Sequence, residues 1–79
     1  MDIDLARTMI RTAFESGRTL QAILPALEQG LPPETYRACA HELASAIDQT
    51  NTALITRALA AHPALQAEVD TAIKAQGRY

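Results

Sequence analysis

The chain of 79 residues lacks the features by which secreted and membrane proteins are recognised. Cys39 is its only cysteine, so no disulfide can form within the chain, as is typical of proteins in a reducing compartment. No apolar run approaches the roughly 18 residues that a membrane span requires. The first residues, MDIDLARTMIRTAF, are acidic at the tip and contain two arginines, unlike a secretory signal. We therefore expect a cytoplasmic protein that does not bind membranes.

Clusters of basic residues are also missing. The formal net charge is −2 and the isoelectric point is about 5.5, whereas clustered Lys and Arg supply most of the affinity of proteins for nucleic acid. Arg7, Arg11 and Arg18 would share one side of the first helix only if that helix continued past its first glycine. Asp4 and Glu15 stand beside them and compensate their charge. We therefore do not expect nucleic acid to be the partner.

No set of residues has the pattern of a catalytic or metal site. The segment HELAS begins like the metal-binding helix of zinc proteases, but Ser45 stands where a second histidine should follow His41. The other histidine, His62, lies roughly 30 Å farther along the same predicted helix. Activating the Cys39 thiol would require a base and an electropositive site, but Tyr36, Ala40 and Leu43 around it indicate a buried, small apolar residue. We expect no catalytic residues, no metal and no cofactor, and therefore a protein that is not an enzyme.

What the chain does contain is apolar side chains at helical spacing. Hydrophobic residues make up 48% of it but aromatic residues only 4%, and alanine is the commonest residue, which favours close approach of the helices over a thick central core. Glycines and prolines divide the chain, and no segment alternates strictly between apolar and polar residues, as a strand would. The spacing predicts one domain, residues 1–79, with helices over 3–17, 19–29, 33–61 and 63–76. The expected fold is all-α: a small antiparallel bundle of three or four helices with one long central helix.

Single residues mark the predicted boundaries. Gly17 suits a left-handed position after the first helix, and Thr19 suits the N-cap of the second. Pro25 should kink or divide that second segment, whereas Pro33 suits the first position of the third. A helix over 33–61 would be roughly 42–45 Å long, more than the roughly 30 Å diameter of a compact globule of this chain length. Either the first two segments run back along it, or a second chain covers the excess.

A polar run, DQTNT, interrupts the long third segment at residues 48–52. Three of its residues point away from the apolar stripe, but Thr50 and Asn51 lie on the two margins of that stripe. Written in heptads, Ala44, Asn51 and Ala58 share one core position. An asparagine there costs about 1–3 kcal/mol if it is left unpaired, and in coiled coils it sets register and oligomeric state by pairing with its own copy.

This position predicts self-association of the third helix. Ile55 and Leu59 widen its apolar surface beyond the main stripe, so either the fourth helix or another molecule must cover them. In the alternative, the fourth helix covers these two residues and Asn51 finds a partner or water within its own chain. The candidate interface comprises Ile47, Thr50, Asn51, Leu54, Ile55, Ala58 and Leu59.

The function expected from these features is protein–protein interaction. We expect a small regulatory or adaptor protein that forms a homodimer through residues 33–61, binds another protein, or does both. The alternative is a small helical regulator that binds a nucleic acid or a small molecule, for which a basic groove around Arg7, Arg11 and Arg18, or an apolar pocket, would be evidence. The many alanines, and the preference for arginine over lysine, are typical of a GC-rich bacterial genome.

Overall fold

The computed structural model describes every residue from Met1 to Tyr79, and all of its regular structure is helical. It contains no strand, which confirms the all-α prediction. None of the helices combines the length and the apolar character that crossing a bilayer requires. The elements in chain order are α1 Ile3–Gln21, α2 Leu24–Gly30, α3 Pro33–Asn51, a π-helical segment Thr52–Thr56, α4 Arg57–Ala61 and α5 Leu65–Gln76.

α1 runs antiparallel to the helical stretch of residues 33–61. Its first turns contact the end of that stretch, where Ile10 joins Ala58 in one buried cluster. Farther along α1, Gly17 lies against Ile47 of α3. α2 then packs on α3, and α5 returns to the beginning of α1. Residues 33–61 are therefore contacted by segments that precede them and by segments that follow them.

The backbone stays helical through the polar run. Asn51 has φ −61° and ψ −42°, and Thr52 has φ −62° and ψ −45°, which are ordinary helical values. Directly after Asn51 the hydrogen-bond pattern widens to the π type over Thr52–Thr56, before α4 begins. Single π turns inserted in α-helices are rare and occur frequently at functional sites. The polar residues therefore mark a change in helix type and not a break.

α1 continues past Gly17, contrary to the boundary predicted there. Gly17 lies within the helix with a negative φ. Thr19 does not cap a second helix, because its Oγ1 donates a 3.0 Å hydrogen bond to the carbonyl oxygen of Glu15 within α1. Leu20 in the last turn packs towards α3. Glycine inside a helix costs only about 1 kcal/mol, which this tertiary packing outweighs.

α2 and α5 begin later than predicted, each next to a proline. Pro25 stands in the first turn of α2, where its missing N–H costs no hydrogen bond, so the second segment divides instead of kinking. Pro63 lies in the turn that precedes α5, and helical geometry starts only at Leu65. At the other end, Gly77 closes α5 with φ 73°, a left-handed conformation that favours glycine.

The core occupies only one end of the molecule. Six of 79 residues are buried, and five of them form one cluster at the junction of α1, α4 and α5. Partly buried side chains, among them Phe14 and Ile55, pack around that cluster. In contrast, neither α2 nor α3 contains a buried residue. The cluster consists of Ala6, Ile10, Ala58, Leu65 and Val69.

The molecule is long, thin and more exposed than a compact chain of its mass. Its principal extents are 44 × 25 × 14 Å, and its radius of gyration is 15.0 Å, compared with about 12 Å for a compact domain of this length. The accessible surface is 5471 Å², compared with about 4,650 Å² for a compact monomer of 8.5 kDa. The chain therefore exposes about 800 Å² that a compact fold would bury.

Replacing two of the glycines should change stability in opposite directions. Gly17 has a negative φ, and a β-carbon there would lie 3.8 Å from Cγ2 of Ile47, an ordinary van der Waals distance. Gly17→Ala should therefore raise the free energy of unfolding by about 0.5–1 kcal/mol, the difference in helix propensity. Gly77→Ala should lower it by about 1 kcal/mol, because alanine is strained in the left-handed conformation. Urea unfolding followed by circular dichroism measures both changes, and a less stable Gly17→Ala variant would contradict the continuous α1.

Candidate interaction surface

Three residues of the predicted interface belong to the core of their own chain. Ala58 is fully buried, and Ile55 and Leu59 pack against the same cluster. α5 contributes Leu65 and Val69 to that cluster. The cover that Ile55 and Leu59 need is therefore provided within the chain, as the alternative interpretation expects, and Ala58 has no surface left for a partner.

The other four residues lie half-buried on α3 and the π segment. They are Ile47, Thr50, Asn51 and Leu54. α1 packs on this stretch, and Ile47 is the residue that lies opposite Gly17. Because none of the four is fully enclosed, a partner can contact the surface that α1 leaves accessible on them.

The side chain of Asn51 has no hydrogen-bond partner within its own chain. None of the side-chain hydrogen bonds of the chain involves its amide group. No buried side-chain nitrogen or oxygen lacks a hydrogen bond, so the amide of this half-buried residue reaches solvent. The intrachain side-chain partner considered in the alternative interpretation is therefore missing. The amide is free to bond to another molecule.

An apolar groove lies next to these residues, between α3 and the junction of α1 and α2. Its volume is about 70 Å³, and almost all of its lining is hydrophobic. Ala44, which lines the groove, precedes Asn51 by two helical turns, so both lie on the same side of α3. The hydrophobic residues that define the apolar groove are Leu20, Leu24, Ala40, Leu43, Ala44 and Ile47.

The groove is open because α5 is too short to cover it. α5 has 12 residues and so spans about 18 Å, whereas residues 33–61 span about 43 Å. The apolar contacts of α5 lie at the core cluster, where α4 ends. Over the first half of α3 the chain therefore provides only α1, α2 and α3 itself. Of the hydrophobic residues that line the groove, Ala44 is exposed and the other five are half-buried.

A cluster of polar contacts that the sequence did not predict joins α1 to α5. The guanidinium of Arg7 donates hydrogen bonds to both carboxylate oxygens of Glu68, with Nε 3.0 Å from Oε2 and Nη2 3.0 Å from Oε1. The Tyr79 hydroxyl donates to the same carboxylate. The guanidinium of Arg11 stacks over the Tyr79 ring, 4.7 Å from its centre. Arg7 contacts Glu68, and Arg11, which follows Arg7 in α1, contacts Tyr79, which follows Glu68 in the chain. α5 therefore runs parallel to α1.

These contacts shift the pKa of three members of the cluster. Hydrogen bonds, first from Arg7 and then from Tyr79, lower the pKa of Glu68 from its usual 4.5. The hydrogen bond to Glu68 raises the pKa of Arg7, which is charged at all ordinary pH values. Partial burial, followed by the hydrogen bond to Glu68, raises the pKa of Tyr79 above its usual 10.0. Near neutral pH the carboxylate is therefore charged and the phenol protonated, so the cluster is complete.

The residues considered for catalysis lie apart from one another. His41 is exposed on α3, whereas His62 donates from Nε2 to the carbonyl oxygen of Met1, 2.7 Å away. Cys39 is a free, half-buried cysteine. No three His, Cys, Asp or Glu side chains are grouped so that they could hold a metal ion.

The chain matches no protein-family model, no curated protein and no solved structure.

Removing the Glu68 carboxylate should make stability less dependent on pH. A carboxyl group with a lowered folded pKa contributes stability above its unfolded pKa and loses that contribution as the pH falls through the folded value. Glu68→Gln should therefore be less stable than the unmodified protein at about pH 7, and the difference should narrow towards about pH 2. Thermal unfolding across this range measures the effect.

The control is Glu42→Gln, which removes an exposed carboxylate that forms no ion pair. Its melting temperature should follow that of the unmodified protein at every pH. A deficit of Glu68→Gln that stays constant down to the lowest pH would contradict the lowered pKa of Glu68.

Proposed function

We propose that this protein is a small, non-enzymatic interaction protein that self-associates through one face of α3. The face consists of the apolar groove together with Asn51 and Leu54. Its partner is a second copy of the chain, and the pair acts in the cytoplasm. The observation that carries the proposal is that neither α2 nor α3 buries a single residue, although both present apolar side chains.

The exposed area supports a dimer of ordinary size. The chain exposes 5471 Å², about 800 Å² more than a compact monomer of its mass would. Standard protein interfaces bury about 800 Å² on each partner. Burying the excess against an identical chain would bring each protomer to the exposure of a compact protein.

Packing two copies together would supply the layer of helices that α5 leaves out. Over the first half of α3, each chain is a thin unit whose helices share the apolar groove. Two such units packed face to face form a helical bundle to which each chain contributes α1, α2 and α3, and side chains of both chains enclose the groove. The sequence predicts a bundle with one long central helix. Two chains together, and not one chain alone, would then complete that bundle.

The free amide of Asn51 supports a symmetric contact. In an isologous dimer, a residue near the two-fold axis lies beside its own copy. An asparagine side chain both donates and accepts hydrogen bonds, so the amides of two Asn51 copies can hydrogen-bond to each other. Asn51 lies on the groove side of α3 and has no partner in its own chain. A pair of such amides would set the register of the two helices.

Leu43→Gln should dissociate the dimer. An amide placed in the apolar groove would be buried without a partner, so the dissociation constant should rise at least about tenfold. Leu5→Gln is the matched control, because Leu5 is 52% exposed at the opposite end of α1. Sedimentation equilibrium should give twice the 8.5 kDa chain mass for the unmodified protein and for Leu5→Gln, and a lower mass for Leu43→Gln. A monomeric mass for the unmodified protein at concentrations on the order of hundreds of micromolar would remove the proposal.

Asn51→Leu should alter the register or the oligomeric state, whereas Gln49→Ala should alter neither. The substitution by leucine removes the paired amides of the interface. A shift of one helix along the other would then no longer break a hydrogen bond. Spin labels at Ser45→Cys, in a Cys39→Ser background, report the distance between the two chains. The unmodified interface and Gln49→Ala should each give a single distance between the labels. Asn51→Leu should give several distances or a different mass. Identical distances and masses in all variants would contradict the assigned role of Asn51.

A further inference from the structure

A second cavity lies between the middle of α1 and the residues that follow α5. Its volume is about 190 Å³, and most of its lining is polar. The residues that matter for its chemistry are three arginines, one glutamate and two aromatic residues: Arg11, Arg18, Arg78, Glu15, Phe14 and Tyr79. Two of the three aromatic residues of the chain therefore lie at one small site.

Two structural features bring the arginines together. Arg11 and Arg18 lie two helical turns apart on one side of α1, which requires that the helix continue through Gly17. The left-handed conformation of Gly77 turns the chain at the end of α5. The hydroxyl of Tyr79 then bonds to Glu68, and its ring lies under the guanidinium of Arg11, so that the residues after α5 lie against α1. The cavity therefore has walls from two distant parts of the chain.

The cavity carries an excess of positive charge in a chain whose net charge is −2. The side chains that line it include three arginines and one glutamate, Glu15. The salt bridges of the chain join Arg7 to Asp4 and to Glu68, and none includes an arginine of the cavity. An anion bound among these arginines is attracted by all three positive charges. Arg7 therefore joins α5 to α1, whereas Arg18 and Arg78 form no salt bridge within the chain.

The type of cation and the size of the cavity limit the ligand to a small anion. A planar guanidinium donates two parallel hydrogen bonds to a phosphate or carboxylate, and it can stack on an aromatic ring while doing so, as Arg11 does on Tyr79. A cavity of about 190 Å³ is smaller than the roughly 300–1,000 Å³ of sites for drug-sized molecules. The rings of Phe14 and Tyr79 offer an apolar wall to the part of the ligand that carries no charge.

We propose that this cavity binds a small phosphomonoester. Arg18 and Arg78 hold the phosphate, together with the stacked guanidinium of Arg11, and the two aromatic rings contact the ester group. The cavity shares no residue with the apolar groove, so binding does not depend on the dimer.

Calorimetric titration with phenyl phosphate and with inorganic phosphate tests the proposal. Both should bind, phenyl phosphate more tightly because its ring adds contact with the aromatic wall. Arg18→Gln and Arg78→Gln should each weaken binding of phenyl phosphate at least about tenfold, the usual effect of losing a charge-assisted hydrogen bond. Both side chains are exposed and unpaired, so circular dichroism should confirm unchanged helix content in the variants. Arg37→Gln is the matched control, because Arg37 is an exposed arginine of α3 outside the cavity.

Three results would overturn the proposal. The first is no saturable heat with phenyl phosphate at about 10 mM, ten times a millimolar dissociation constant. The second is an equal loss of binding in Arg37→Gln and Arg18→Gln, which would indicate attraction by overall charge and not a site. The third is tighter binding of a single-stranded oligonucleotide than of phenyl phosphate, with a salt dependence that corresponds to several phosphates, which would indicate a nucleic-acid surface.

Discussion

The difference in length between α5 and the helical stretch of residues 33–61 is the constraint on which the rest of the structure depends. A 12-residue helix can cover less than half of a stretch about 43 Å long, so the chain encloses a core at one end only. There, α1, α4 and α5 bury five residues in one cluster. At the other end, α1, α2 and α3 share a groove, and neither α2 nor α3 contains a buried residue. The same fold therefore contains a closed half and an open half.

Polar contacts compensate for the small apolar contribution of α5. Only Leu65 and Val69 of this helix are buried. Arg7, Glu68 and Tyr79 add directional hydrogen bonds between α5 and α1, and these bonds determine how the chain is placed after α5 ends. The arginine-lined cavity results from that placement, because one of its walls is the segment held by Tyr79. The contacts that secure the short helix thus also create the site proposed for a phosphomonoester.

The sequence was sufficient to predict features that depend on local spacing. Ala6, Ile10 and Ala13 follow each other at intervals of three and four residues, and all three are buried in α1. The end of α1 could not be predicted, because Gly17 has the local character of a stop, whereas its contact with Ile47 comes from a distant segment. A helical wheel identifies the apolar side of a helix but not the neighbour that covers it.

The candidate site illustrates the same limit. Ala58 and Asn51 occupy the same heptad position, yet the first lies in the core and the second reaches solvent, because α5 covers only one end of the stretch. The pair of Arg7 and Glu68 spans 61 residues and has no local sequence signature at all. Such contacts become predictable only when the arrangement of the helices is known.

The central claim is that a second copy of the chain covers the open half. The most direct test is the urea midpoint of unfolding measured at protein concentrations that span about a hundredfold range. Because association stabilises only the folded dimer, the midpoint should rise steadily with concentration. A midpoint that stays the same throughout the range would contradict the claim, because it would mean that each chain folds and persists alone.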